Sequence, residues 1–414
     1  MEFPAMAPVK QYFSSVAEED VVGSVLQQLH QSDLNAAIAP GARIAISTGS
    51  RGIANIDRIV RTVVDFIKEA GGTPFILPAM GSHGGGTPEG QKEVLAGYGI
   101  TPESMGAPIE ATMEVVEVDQ LEDGTPVLVN RLALEADGVV LINRIKPHTS
   151  FRGPFESGLM KMMTIGLGSH RGATIAHSKG AQGLANVIPA WGKAILEKAP
   201  ILMGLAIIEN AYDETARLVA LKPGEFFSGE PKLLEEARQA MPRILVQGID
   251  LLIVEEVGKD ISGTGMDTNV VGRMMLPGIK EPEVPGVARI VVLDLTERTH
   301  GNASGIGLAD IITRRLFDKI DFKPTYANVF TTTFLNRAYI PVIMENDREA
   351  IAAALRVQGL EDPVQARVVR IKNTLSMAEI QISAPLLKEF GSHPQLEQVG
   401  PLAPMSFAAD GALI

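Results

Sequence analysis

Short apolar runs that stop at glycine-rich loops, each followed by a helical stretch, constrain this chain more than any other feature. R-I-A-I-S-T (43–48) reads as a buried strand ending at the loop G-S-R-G. Between Ala54 and Ala70 the residues Ile56, Ile59, Val60, Val63, Val64 and Ile67 recur at helical spacing, and Gly71-Gly72 ends the helix. P-F-I-L-P (74–78) is the next strand and G-S-H-G-G-G-T-P (81–88) a loop, in which Thr87-Pro88 caps and opens a helix. M-E-V-V-E-V and T-P-V-L-V-N flank the turn E-D-G, and G-V-V-L-I-N (138–143) is a further buried strand. A helix near 184–198, the strand I-L-M-G-L-A-I-I and the exposed strand R-L-V-A-L complete the first half.

A charged, proline-bearing segment, 229–245, marks a junction. Beyond it I-D-L-L-I-V-E, A-R-I-V-V-L-D, I-P-V-I-M, A-R-V-V-R-I and A-E-I-Q-I-S read as strands, with helices near 307–318 and 346–357. This alternation predicts an α/β fold of two domains, residues 1–245 and 246–414, each built on a largely parallel sheet. Ligands of such folds bind beyond the carboxyl ends of strands or between domains, so the site is expected in the interdomain cleft.

Composition narrows the chemistry. The 414 residues suffice for two cores, and 45% hydrophobic with 21% charged residues is an ordinary globular balance. A formal net charge of -12 argues against a nucleic-acid surface, which needs clustered Lys and Arg. The lack of cysteine excludes disulfides, thiolate metal sites and cysteine nucleophiles, so a metal needs His, carboxylate or the sulfur of a cofactor. No apolar run is long enough to span a bilayer and the N-terminus has no signal-peptide pattern, so a cytoplasmic protein without a membrane partner is expected. P-loop, H-E-x-x-H and G-x-S-x-G signatures are missing, and G-S-R-G-I-A is only a weak echo of a dinucleotide loop.

What remains is Lys146 to Gly180, which holds three of the seven histidines and sets Lys161 among apolar residues. His83, His148, His170 and His177 follow strands or sit in glycine-rich turns, whereas His30, His300 and His393 are scattered. Imidazole serves as acid, base or metal ligand near neutrality, although a lone loop histidine is more often merely solvated. Lys161 is either a helix lysine that snorkels past apolar neighbours, or an amine with a burial-lowered pKa, available for covalent attachment.

These motifs resemble those of the nickel-dependent lactate racemase family. The resemblance implies that His83, in M-G-S-H-G-G-G, and His148, in K-P-H-T-S-F-R-G, are the two acid/base groups. It implies that Ser157-Gly158-Leu159-Met160-Lys161 stands for the family's S-G-G-x-K. Lys161 would then carry a covalently attached nickel-pincer nucleotide (pyridinium-3,5-bisthiocarboxylic acid mononucleotide nickel), with Ser157 and Gly158 beside it. His177, in A-T-I-A-H-S, would be the nickel ligand, and Arg51, in T-G-S-R, would hold the substrate carboxylate. In the second domain Ser262, Gly263, Asp267 and Asn269 keep their places in a segment of the form S-G-x-P-x-D-x-N-x-x-Q-x-x-K, with Asn269 toward substrate. Asp267 and Asn269 equally suit a plain turn.

The chain also departs from the family. Thr48 replaces the aspartate of D-x-T-R, and Gly272 and Met275 replace the closing glutamine and lysine. Arg273, next to Gly272, is the candidate replacement cation. The spacing from His148 to Lys161 is longer than the family's, with Pro154-Phe155-Glu156 adding bulk, and His170 has no counterpart. The resemblance therefore implies racemisation or epimerisation of a 2-hydroxy acid other than lactate, by transient hydride transfer to the cofactor. The expected partners are that small-molecule substrate, the cofactor-synthesis enzymes and a second copy in a homodimer. A metal-free α/β isomerase or dehydrogenase, and a non-catalytic ligand-binding homologue, are the alternatives.

Overall fold

The first eight strands are Ala5–Gln11 (β1), Arg43–Thr48 (β2), Thr73–Pro78 (β3), Val115–Gln120 (β4), Pro126–Asn130 (β5), Gly138–Arg144 (β6), Ile201–Glu209 (β7) and Thr215–Leu221 (β8). The computed structural model describes residues 2–414. In it the chain separates into Ser15–Met241 and a second unit made of Pro242–Ile414 with the chain up to Ser14.

In the first unit β3-β2-β6-β7-β8 form a five-stranded sheet, parallel except for the edge strand β8. The interior strands read as unbroken apolar runs because they are buried along nearly their whole length. The helix Ile56–Glu69 turns the stripe of Ile59, Val60, Val63, Val64 and Ile67 into the same core, each fully buried. Each such side chain contributes roughly 1.5–3 kcal/mol. β4 and β5 pair separately as the expected hairpin.

The second unit continues with Ile249–Val257 (β9), Val287–Leu295 (β10), Ile311–Thr313 (β11), Val342–Met344 (β12), Val368–Ile371 (β13), Glu379–Ser383 (β14) and Leu396–Gln398 (β15). They form a nine-stranded sheet in the order β12-β11-β10-β9-β13-β14-β1-β15, with Ala403–Pro404 added on β1. Strands β9 to β13 pair in parallel, as expected, while β14, β1 and β15 add an antiparallel flank. The α/β class holds in both units.

The first strand therefore does not follow sequence order. β1 pairs with β14, Met6 beside Ser383, and Gln11 fastens it. The Gln11 amide donates to Met377 O at 2.7 Å and accepts from Leu245 N at 3.0 Å. One local reading also changes. The segment 307–318 is not a single helix, because the β-branched Ile311, Ile312 and Thr313 join the sheet and Thr313 then caps the helix Arg314–Asp318. Among the described residues no helix is long and apolar enough to cross a membrane.

Candidate active site

Strand order brings the candidate residues of the first unit together. β2 lies between β3 and β6, and all three run parallel, with Thr48 beside both Pro78 and Ile142. Their carboxyl ends face the same way, so the loops leaving them are neighbours. Arg51 leaves β2, His83 leaves β3, and the long connection bearing His148 and Lys161 leaves β6. Glycine lets these loops touch. Gly81 N donates to Gly166 O at 3.3 Å, and a Cβ on Gly166 would stand 2.5 Å from Ala79 O.

His83 is exposed, and its Nδ1 hydrogen-bonds to Ser50 Oγ. Ser50 is fixed in turn, because its carbonyl accepts the Tyr98 hydroxyl at 2.9 Å. Gln91 holds the loop from behind by donating to Gly81 O at 3.1 Å. His170, which had no assignment, packs on this loop: a Cβ on Gly86 would lie 3.3 Å from its ring.

The bulk before Lys161 is accommodated simply. Lys146 and Ser157 form a two-residue antiparallel bridge, with N–H···O distances of 2.9 and 3.1 Å. Everything between them is a closed loop, so Pro154-Phe155-Glu156 enlarge the loop without displacing the turn that carries Lys161. Glu156, 1% exposed, is the hub of this loop. Its carboxylate accepts from His148 N at 2.7 Å and Gly153 N at 3.3 Å, and pairs with Arg152 at 3.5 Å and Arg238 at 3.1 Å. The helix Phe226–Ala240 supplies Arg238, and also Phe227, which meets Phe155 edge-on at 5.4 Å. His148 Nδ1 accepts from Ser150 N–H at 3.0 Å, which assigns the proton of the neutral ring to Nε2. The ring lies against Phe151, with centroids 4.3 Å apart.

Electrostatics tie the residues into one neighbourhood. Burial pushes His148 well below the usual imidazole range, and the charges of Lys161, His177, Arg152 and Arg51 push it the same way. Burial, then Lys161, lower His177 to about 4. Burial and the charge of Arg51 lower Lys161 to about 7, against the opposing pull of Glu156. Arg51 is accessible by surface area, yet loss of hydration lowers its pKa, which fits a guanidinium crowded at a concave surface. Neither Arg51 nor Lys161 has a hydrogen-bonding or ion-pair partner among the described residues; Lys161 Nζ lies 5.9 Å from the Phe151 ring centroid. An unpaired guanidinium and an amine charged only about half the time at pH 7, beside two neutral imidazoles, make a local anion receptor in an acidic chain.

The Lys161 shift has a measurable sign. Only the neutral amine is nucleophilic, and a fall from 10.5 to about 7 raises its neutral fraction at pH 7 from about one in 3,000 to about half. Acylation of Lys161, followed by peptide mass mapping across pH, is expected to be half-maximal near pH 7. A midpoint near 10 would contradict the burial argument.

The donor set limits the kind of metal this neighbourhood can hold. Among the described residues no group of three or more His, Asp or Glu could hold a metal ion. A bare ion does not fit. One imidazole that stays unprotonated at neutral pH, next to an unpaired amine, does fit a metal that arrives with its own ligands on an organic group. Thr48 Oγ1, at the end of β2, is buried without a hydrogen-bond partner among the described residues.

In the second unit Asp267 caps the short helix Thr268–Val271, and the Asn269 amide turns back onto Asp267 Oδ1 at 2.8 Å. The expectation for Arg273 is corrected. Its guanidinium donates to Leu308 O and Ala288 O, both at 3.0 Å, and pairs with Asp310 at 2.7 Å. With the side chain 13% exposed, this cation is neutralised and committed to the sheet; it cannot stand in for the lost lysine. Sequence reasoning missed Ser50, Tyr98, Glu156 and the helix Phe226–Ala240 behind the site. Only the acid inside the apolar stretch G-P-F-E-S-G-L hinted at a buried carboxylate.

The sequence model of the lactate racemase N-terminal domain matches residues 5–185. No curated protein matches the sequence. Among solved structures, the lactate racemase apoprotein from Thermoanaerobacterium thermosaccharolyticum aligns with a TM-score of 0.56 at 14% identity, covering 87% of this chain and 93% of that one. At that identity the alignment speaks for the fold, and it extends through both units. The matched domain contains the three adjacent loops, Lys161 and His177, so residues 5–185 are similar to the N-terminal domain of lactate racemase.

Proposed function

We propose that the protein racemises or epimerises a 2-hydroxy acid other than lactate, with a nickel-pincer nucleotide held by Lys161 and His177. The observation that supports this most is the juxtaposition of Arg51 and Lys161, neither of them paired among the described residues, with the neutral rings of His148 and His177. When bound, the cofactor supplies a hydride acceptor for the α-hydrogen, which is too weakly acidic beside a carboxylate to leave as a proton. The protein's own residues do the rest. Arg51 takes the substrate carboxylate in a two-pronged contact. His83 accepts the hydroxyl proton at Nε2, a role open to it when Nδ1–H is donated to Ser50 Oγ. His148, whose proton sits on Nε2, donates a hydrogen bond to the same substrate oxygen. Water is kept off the amine by the Phe151 loop and the buried segment Met162–Gly166. Thr48, Gly272 and Met275 are smaller or uncharged where the family has aspartate, glutamine and lysine, which suits a larger or more polar acid than lactate.

The test is a panel of 2-hydroxy acids in deuterated buffer, using protein produced together with the cofactor-synthesis enzymes, its required partners. Inversion of at least one acid other than lactate is expected. Binding without inversion of any acid would sink the proposal.

A further inference from the structure

We infer that Glu230, from the helix Phe226–Ala240, positions Lys161, and that residue 158 is glycine to make room for this carboxyl. The inference rests on the reading of Lys161 as the attachment point.

The turn Leu159–Lys161 has no cap from its own N-terminal residue, because Gly158 has no side chain. Glu230 supplies what is missing from a distance of seventy residues. Its Oε2 accepts the N–H of Met160, the residue before Lys161, at 3.0 Å. On the other side Asn143 Nδ2 donates to Gly158 O at 2.7 Å. The backbone just ahead of Lys161 is thus gripped at Gly158 and at Met160. Gly158 has a φ of 171°, extended and open to any residue, so conformation does not demand glycine. Space does: a Cβ there would stand 2.2 Å from Glu230 Oε1 and 3.3 Å from Ile145 Cγ1.

Glu230 is unlike the other buried acid nearby. Glu156 is matched by two arginines, whereas Glu230 is 1% exposed, makes no ion pair, and leaves Oε1 without a partner among the described residues. Burial raises its pKa to about 8, against the opposing pull of the nearby Met160 and Leu159 N–H groups. At neutral pH it is therefore mainly a neutral acid whose polar contacts all fall on the turn that carries Lys161. A carboxyl kept buried without a cation is costly, and here it serves only that turn. Beyond Lys161 the chain enters the π-helical segment Met162–Gly166, so the ordered turn is short and its first residues set the direction of the lysine stem.

The test labels the full-length protein with acetic anhydride at pH 7. Lys161 acylation is read by peptide mass mapping against Lys280, whose side chain is 83% exposed. Glu230→Gln keeps an acceptor of the same size and is expected to label Lys161 within twofold of wild type. Glu230→Ala leaves the N–H of Met160 without its acceptor and is expected to lower labelling at least fivefold, with Lys280 unchanged. Gly158→Ala, which collides with the carboxyl, is expected to lower it similarly, and to add less than twofold when built into Glu230→Ala. A folded Glu230→Ala protein that labels like wild type would overturn the inference, as would additive effects in the double variant. If Glu230→Ala does not fold, Gly158→Ala decides: unchanged labelling overturns the inference. A wild-type Lys161 that does not label at pH 7 would remove the reading beneath it, a failure visible before any variant is made.

Discussion

Lys161→Ala is expected to reduce inversion of the best substrate by roughly 10³-fold or more, close to background. The reason runs from burial to chemistry. A lysine that stays charged needs water or an anion, and Lys161 has neither a carboxylate partner nor an exposed site. Its amine is therefore neutral about half the time at pH 7, when a surface amine would be protonated. That is the state able to form a covalent bond. Lys161→Arg should fail as badly, since guanidinium keeps its charge and cannot be acylated. Retention of both the fold and substrate binding in these variants, with inversion lost, separates a chemical role from a structural one. Substantial inversion by Lys161→Ala would favour a metal-free enzyme on the same scaffold.

The second large effect is expected at Glu156. Glu156→Ala deprives the partly buried N–H groups of His148 and Gly153 of their acceptor and leaves Arg152 and Arg238 without their shared counter-ion. The loss is expected to be about 2–4 kcal/mol of stability, read as a lower denaturant midpoint at unchanged slope. The two arginines remain partly exposed and regain water, which keeps the loss from being larger. Activity should fall about a hundredfold in addition, because the loop that aims His148 closes on this carboxylate. Glu156→Gln keeps an acceptor and should lie between wild type and Glu156→Ala in both measurements. An unchanged midpoint in Glu156→Ala would show that the loop is held by the Lys146–Ser157 bridge alone.

Much of this fold was legible in residues close together in sequence. The helix stripe from Ile56 to Ile67, the buried run from Gly138 to Asn143 and the Thr87-Pro88 cap each declare themselves within one element. β1 was not legible, because its partner β14 lies more than 370 residues away and nothing in A-M-A-P-V-K-Q names it. The Ile311-Ile312-Thr313 strand was hidden for a different reason: three residues are too few to show a period, and sheet pairing decided them.

The site obeys the same rule. His83, His148, Lys161 and His177 were recognisable by motif and lie on adjacent loops of one sheet or share one electrostatic environment. Their supports come from remote segments. Glu156 gains its partner Arg238 eighty-two residues on, and Tyr98 reaches Ser50 across forty-eight. Arg273 shows the converse. Its neighbourhood in sequence suggested a cation for the substrate, and only the positions of Asp310, Leu308 and Ala288 reveal that the charge is already answered.

The most direct measurement is intact mass and metal content of the protein produced together with the cofactor-synthesis enzymes, with the modified peptide mapped. The expected result is one nickel per chain and a single adduct confined to Lys161, both lost in Lys161→Ala. An active wild-type protein with Lys161 unmodified and no nickel would contradict the central claim.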